Sequence, residues 1–502
     1  MSRQIKVLGA VIMICYVAAF AKLNQLQVLN ASEYNDRPEN TRAQLRDFNR
    51  PRGDIVSADG VVLATSEERR AELRYQRVYP EGDLFAHITG YYSFRLGSTG
   101  VERTYNAELT GRTSSLQLRE LSGVFSDPSS EGDVILTVQS QVQRTAKESL
   151  GALTGSVVAL DPRTGAILAM YSNPTYDPNL ISTNDGQTAT DVKTVLDASP
   201  DKPLLARSYQ ERFFPGSTFK VVTATAGLTS GTVTETEPTY PVVRSYTPPL
   251  TNRPINNFDR SECGGTLFTI LQKSCNSSFA QMAAEQLGPD PMIEAAEAAG
   301  FNDTPPIDLT RPAASVYPTD FGDVVSEPPD RAPVVEDTPA LAQTAIGQND
   351  VAATPLQMAL VAAGVANQGR IMVPHVMAEV QARDGDTVAR FDERPWRDSM
   401  TPEVAEIMRR AMVSVVEAPQ ATGSILRLAG YEVGAKTGTA QLGTTPPKSH
   451  AWMIAFAGPP GQEPTVAVAV MVQGVNGDDG QTGGRVAGPI AKAVLESALA
   501  VG

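Results

Sequence analysis

The chain is poor in the residues that usually carry acid–base, metal or redox chemistry. Its 502 residues include three histidines (His87, His375, His450) and three cysteines (Cys15, Cys263, Cys275). None of them has zinc-type spacing, so a metal enzyme is not expected and no cofactor is implied. Three cysteines also exclude a disulfide-dense scaffold. Positive charge is scarce: 42 Lys+Arg stand against 56 Asp+Glu, a formal net charge of −14, and only ten of the cations are lysines. A nucleic-acid partner is therefore not expected, because it needs a positive footprint. No internal repeat appears, which excludes solenoids and propellers. What is present is globular: 41% hydrophobic and 20% charged residues rule out a collagen-like or wholly disordered chain. The length suggests roughly two to four domains.

One long apolar run stands out. Residues 7–21 (VLGAVIMICYVAAFA) are uncharged, with Arg3 and Lys6 before them and Lys22 after. Fifteen helical residues span about 22 Å, short of a ~30 Å hydrocarbon core. The pattern continues through LNQLQVL, with Lys22 snorkelling, so a membrane anchor over 7–28 is expected. The basic flank puts residues 1–6 in the cytoplasm and the bulk outside. Ala19-Phe20-Ala21 leaves a cleaved signal peptide as the alternative; the mass of the mature chain decides between them.

Beyond the anchor, Asp59-Gly60 between apolar runs reads as a hairpin. Residues 65–130 show no clear pattern. Residues 136–153 read as a helix. Residues 156–161 (SVVALD) and 166–172 (AILAMYS) form a second hairpin around Pro162-Arg163-Thr164-Gly165. The stretch 205–425 reads as mainly helical with Pro-rich loops. Within it, residues 317–340 hold five prolines and six acids and read as a surface loop. Strands return at 431–440, 451–458 and 465–473, followed by a helix over 486–499. Strands from both ends with helices between them imply an α/β (α+β) fold: one mainly antiparallel sheet, flanked by helices and closed by both chain ends.

Three short motifs occur in order: Ser217-Thr218-Phe219-Lys220, Ser274-Cys275-Asn276 and Lys436-Thr437-Gly438. Decoys exist at Ser199-Pro200-Asp201-Lys202 and Ser182-Thr183-Asn184, so context must decide. Phe214-Pro215-Gly216 and the run VVTATAGL place Ser217 at the start of an apolar helix. Free N–H groups there favour a developing oxyanion, and Lys220 follows one turn on. Prolines break the first decoy; the second falls out of order. A serine hydroxyl needs a base, and no histidine is placed to serve. A lysine serves only if burial and a neighbouring positive charge leave it neutral. Lys436 is the candidate second charge and Ser274 the candidate proton relay. Asn276 offers an amide to orient a peptide bond. Thr437 and Thr439 share one strand face and suit a substrate carboxylate. The backbone N–H groups of Ser217 and Thr439 are candidate oxyanion donors. Each motif alone also fits a cap, a solvated charge or a strand end; the ordered triple does not. Trp452 and His450 read as packing residues.

The triple resembles the Ser-x-x-Lys, Ser-x-Asn, Lys-Thr-Gly signature of penicillin-binding proteins and serine β-lactamases. Arg52-Gly53-Asp54-Ile55 through Leu63-Ala64 resembles the first N-terminal signature of class B, monofunctional penicillin-binding proteins. Gly165–Met170, Tyr176-Asp177-Pro178-Asn179, Ala345-Ile346-Gly347-Gln348, Thr354–Met358 and His450-Ala451-Trp452 resemble segments of their transpeptidase domain. The short pedestal and overall length resemble the actinobacterial branch.

The resemblance implies a pedestal (dimerisation-type) domain over 29–153 and a transpeptidase domain over 154–502. It implies a D,D-transpeptidase in which Ser217 attacks the D-Ala–D-Ala bond of a peptidoglycan stem peptide, Lys220, Ser274, Asn276 and Lys436 assist, and Thr437, Gly438 and Thr439 bind substrate. β-Lactams would acylate the same serine. Cys275 departs from the Asp of class A β-lactamases, and no later Asn has Glu four residues before it, so slow deacylation is expected. The pedestal leaves no room for a glycosyltransferase domain. The resemblance therefore implies a separate membrane glycosyltransferase of the FtsW/RodA type, other cell-division proteins as partners, and a part in septum formation. A carboxypeptidase or endopeptidase using the same residues, a divisome scaffold and a β-lactam sensor are the alternatives. Only about six residues precede the apolar run, too few for a sensor's signalling module. Cys263 and Cys275 lie twelve residues apart outside the membrane, where a bridge bracing Ser274–Asn276 is expected, with two reduced, partly buried thiols as the alternative.

Overall fold

A computed structural model describes residues 3–25, 42–71, 73–116, 131–419, 421–476 and 481–501. Within helix α1 (Arg3–Asn24) an 18-residue stretch has mean hydropathy 2.0, and none of its side chains is buried. It is long and apolar enough to cross a membrane: its 22 residues rise about 33 Å. Residues 26–28 of the expected anchor lie outside the described residues.

The Asp59-Gly60 turn forms as its residues require. Gly60 takes φ 82°, and strand β1 (Ile55–Val56) turns back as the antiparallel β2 (Val62–Glu68). β3 (Tyr75–Val78) pairs with β2, and β4 (Gly132–Leu136) runs parallel to β1. A Cβ on Gly53 would meet the Gly132 carbonyl oxygen at 2.1 Å, so the chain crosses here only as glycine. Next to it, Arg52 Nε and Arg77 Nε each donate to one oxygen of Glu102, both at 2.6 Å, with all three side chains buried. Glu102 lies in the stretch that carried no sequence pattern; of that stretch, 72 and 117–130 lie outside the described residues.

The helix expected over 136–153 is shorter. β4 alternates buried and half-buried residues, a period of two that ends at Leu136. Helix α2 (Ser140–Leu150) starts where Asp59 Oδ1 accepts the Ser140 N–H at 3.0 Å.

β5 (Gly155–Leu160) and β6 (Ile167–Asn173) form the second hairpin, with Gly165 at φ 84°. Helices follow: α3 (Lys220–Thr229), α4 (Leu267–Lys273), α5 (Asn276–Gln281) and the wholly buried α6 (Pro355–Ala366). Short strands interrupt this stretch against expectation, and two of them join the N-terminal sheet. β7 (Met377–Ala382) pairs antiparallel with β4, and β8 (Thr387–Arg390) with β7. The N-terminal sheet thus has the order β8-β7-β4-β1-β2-β3. Tyr105 OH donates to Asp308 Oδ2 at 2.6 Å beside this joint, and Asp308 accepts the Val376 and Met377 N–H groups at 2.7 and 3.0 Å.

After α7 (Pro402–Glu417) come β9 (Glu432–Gln441), β10 (Lys448–Gly458), β11 (Val466–Asn476) and α8 (Gly483–Val501). The second sheet, β9-β10-β11-β5-β6, is antiparallel throughout and joins strands from both parts of the chain, as expected. Its side chains alternate between two apolar layers. Ile454 and Phe456 join the layer containing α6; Met453 and Ala455 join the layer containing α2 and α8. The surface loop expected over 317–340 is partly core. Phe321 is buried, and Tyr317 stacks on Phe219 with ring centroids 5.4 Å apart.

Candidate active site

The residue after α4 shapes the site. Ser274 takes the left-handed conformation (φ 60°, ψ 46°), and α5 begins two residues later at Asn276. The sharp turn buries Cys275 completely and leaves Ser274 and Asn276 on the cleft wall. Cys275 and Cys263 are joined by a disulfide with a Cα–Cα distance of 5.5 Å. Asn276 Nδ2 donates to the Asn256 carbonyl at 2.9 Å, and Asn257 Oδ1 accepts the Ser277 N–H at 2.9 Å. Sequence reasoning missed this pair, and only their place before the disulfide loop hinted at them.

Ser217 lies one step earlier than expected. A tight 3-10 turn, Gly216–Phe219, precedes α3, and Lys220 opens the α-helix. Pro215 and the positive φ of Gly216 (54°) set the turn. The Gly216 N–H donates to Gly347 O at 2.9 Å, and a Cβ on Gly347 would lie 2.1 Å from Gly216 O. That explains the glycine of the Ala-Ile-Gly-Gln segment.

Strand β9 brings Lys436, Thr437, Gly438 and Thr439 past this turn. A Cβ on Gly438 would lie 2.9 Å from Thr218 Cγ2 and 3.0 Å from both Pro215 O and Trp452 Cβ. Glycine is what allows the approach. Trp452 Nε1 donates to Phe214 O at 3.0 Å and anchors the segment before Ser217. His450 packs edge-on against Phe213, and burial pushes it down to about 4, so it is neutral at physiological pH.

The lysines meet at Ser274. Lys220 and Lys436 are fully buried. Lys220 Nζ donates to Ser274 O at 2.8 Å and Asn276 Oδ1 at 2.6 Å, with Ser274 Oγ at 3.4 Å. Lys436 Nζ donates to Ser274 Oγ at 2.7 Å and Thr437 O at 3.0 Å. Burial, then the charge of Lys436, hold Lys220 well below the usual lysine range. Burial lowers Lys436 to about 7. Three oxygens, Ser274 O, Asn276 Oδ1 and Ser274 Oγ, thus surround Lys220 Nζ, and its lowered pKa favours the neutral amine that a base needs.

Above the lysines lies a cleft of about 950 Å³ lined by Ser217, Ser274, Asn276, Thr437 and Thr439. Another cavity of about 870 Å³ lies elsewhere, lined by Thr229, Met400 and Pro402, and carries none of these groups. The decoys are structural. Ser182 Oγ accepts the Tyr92 N–H at 3.3 Å, Asn184 Nδ2 donates to Tyr75 O at 3.1 Å, and the Lys202 carbonyl accepts from Arg207.

Comparison with known proteins agrees with this geometry. Residues 155–496 match the penicillin binding protein transpeptidase domain, and residues 52–135 match the penicillin binding protein A dimerisation domain. The chain is 38% identical to the peptidoglycan D,D-transpeptidase PbpA of Mycolicibacterium smegmatis, covering 100% of both. It is 35% identical to PbpA of Mycobacterium tuberculosis, covering 99% of both. The ceftriaxone acyl-enzyme structure of penicillin-binding protein A from M. tuberculosis superposes with a TM-score of 0.79 at 35% identity, covering 91% of this chain and 100% of that one. The chain belongs to the penicillin-binding protein transpeptidases.

Proposed function

We propose that this chain is a D,D-transpeptidase that cross-links peptidoglycan stem peptides, with Ser217 as its nucleophile. The observation that carries the proposal is the buried lysine pair: Lys220 Nζ on Ser274 O and Asn276 Oδ1, held well below the usual lysine range by burial and then by the charge of Lys436, and Lys436 Nζ on Ser274 Oγ. Lys220 takes the Ser217 proton as Oγ attacks the D-Ala–D-Ala carbonyl. The N–H groups of Ser217 and Thr439 hold the oxyanion. Asn276 orients the peptide, and Thr437 and Thr439 hold the terminal carboxylate. Lys436 donates to Ser274 Oγ, so the Ser274 proton is directed at the leaving nitrogen. The C–N bond breaks and D-alanine leaves with that proton, while Lys220, whose Nζ lies 3.4 Å from Ser274 Oγ, passes the proton it took from Ser217 to Ser274. An amine of a second stem then attacks the ester; a new C–N bond forms, the Ser217 Oγ–C bond breaks, and the amine's proton returns to Oγ. A β-lactam forms the same ester from its ring amide. The acyl-enzyme structures of the M. tuberculosis relative support this reading.

Helix α1 supports a single-pass anchor in the cell membrane, with residues 29–153 as pedestal and 154–502 as the extracytoplasmic transpeptidase domain. The family resemblance suggests that a separate membrane glycosyltransferase of the FtsW/RodA type polymerises the glycan and acts with this enzyme in septum formation. The test is to incubate the full-length chain with a stem pentapeptide and an amine acceptor. Wild type releases D-alanine and forms cross-linked product; Ser217→Ala does neither. D-Alanine release without cross-links would replace transfer by hydrolysis.

A further inference from the structure

One aromatic residue is held in the cleft rather than in the core. Phe258 lines the cleft above the lysines and is 56% exposed. On an open surface a single exposed phenylalanine needs no explanation. Here the backbone around it is fixed from several sides. The Asn256 carbonyl accepts from Asn276 Nδ2 at 2.9 Å. Buried Asn257 accepts the Ser277 N–H at 2.9 Å and donates to Val243 O at 2.8 Å. The Phe258 carbonyl accepts from Ser261 Oγ at 2.8 Å and from the Ser261 N–H at 3.1 Å. The next two residues, Asp259 and Arg260, take left-handed φ of 52° and 50°, and neither is glycine. Such backbone is uncommon, persists only where the surroundings impose it, and clusters at functional sites.

Phe258 also lines a second cavity, of about 450 Å³, that adjoins the cleft. Thr439, Gln441 and Thr482 line both; Thr437 lines the cleft alone, and Gly443 and Thr444 the second cavity alone. β9 and the turn after it therefore lead from one space into the other, with Phe258 at the junction. Among the described residues β9 is an edge strand of its sheet, so its outer backbone edge is open to an extended chain. With the D-alanine carboxylate at Thr437 and Thr439 and the scissile carbonyl between the Ser217 and Thr439 N–H groups, the acyl part of the donor continues towards Gln441. At about 3.4 Å per residue, about two donor residues reach that far.

We propose that Phe258 is a specificity-determining residue, the apolar platform on which the acyl side of the donor rests as it passes from the cleft into the second cavity. The class it selects is a donor with an aromatic ring or a chain of methylenes on the acyl side of the scissile bond. In a stem peptide that group is a long side chain on the residue before the D-Ala–D-Ala pair; in a penicillin it is an arylacetyl group. A contact of this kind tightens binding and leaves the chemistry to the groups around Ser217.

The inference rests on Ser217 being the acylated residue, and its test keeps the two apart. Acylation of the full-length chain is timed with benzylpenicillin and with 6-aminopenicillanic acid, which has the same nucleus and carboxylate but no arylacetyl group. Wild type, Phe258→Ala and Phe258→Tyr are compared. Absence of a Ser217 adduct in wild type would remove the underlying reading. If the adduct forms, Phe258→Ala is expected to weaken the binding of benzylpenicillin about five- to ten-fold while its limiting acylation rate holds, and to change 6-aminopenicillanic acid by no more than about two-fold. Phe258→Tyr keeps the preference for benzylpenicillin. With stem peptides, the Ala variant loses the preference for a donor with lysine, rather than glycine, before the D-Ala–D-Ala pair. Both penicillins slowed equally, or neither slowed, would overturn the proposal.

Discussion

Lys220 and Lys436 are two of only ten lysines, and both are fully buried around one serine hydroxyl. The like charge of Lys436 is one cause of the lowered Lys220 pKa. Lys436→Ala removes that charge, so the Lys220 pKa rises and a higher pH is needed to keep it neutral. The acid limb of residual acylation therefore moves to higher pH; an unmoved limb in a pH–rate profile would contradict the coupling. Gly438→Ala makes a different point. Its Cβ meets Thr218 Cγ2 and Pro215 O, which pushes β9 away from the Ser217 turn. The expected cost is about 1–3 kcal/mol of stability, together with slower acylation, read by melting and by adduct formation. The motif residues were legible because each motif is local. Asn256 and Asn257 were not, because their partners lie twenty residues away and no spacing rule points from one to the other.

The elements carrying the motifs explain their order. α4 ends in a left-handed serine, a disulfide holds the next residue, and β9 slides a glycine past a 3-10 turn. The double variant Cys263→Ala/Cys275→Ala is expected to lose about 3 kcal/mol by the loop-entropy model and to acylate more slowly, because the Ser274–Asn276 turn loses its brace. Thermal unfolding and acylation rates of wild type with and without reductant check this. No change in either would make the bridge incidental. The 155–173 hairpin and the C-terminal strands were readable from apolar runs bounded by turn residues. The 132–136 segment was not, since Leu136 precedes a helix and its two-residue period is only five residues long. Ser217 was placed in an α-helix because an apolar run gives no sign that its first turn is 3-10.

At the scale of the whole molecule, two sheets combine strands distant in sequence. The closure of β9-β10-β11-β5-β6 was legible because strands cluster at both ends of the domain. The addition of β7 and β8 to the N-terminal sheet was not, because β4 and β7 are more than 200 residues apart. Glu102, buried between Arg52 and Arg77, organises that sheet. Glu102→Gln leaves two guanidinium groups uncompensated and is expected to cost about 3–5 kcal/mol, seen as a lower melting temperature without a change in acylation by the chain that remains folded. The central claim is that one serine of the chain is the acylated nucleophile, and the mass of the full-length protein after exposure to benzylpenicillin tests it most directly. One adduct per chain is expected, mapping to the peptide that contains Ser217 and absent from a Ser217→Ala variant with native melting; an adduct on another residue, or one that persists in that variant, would contradict the account.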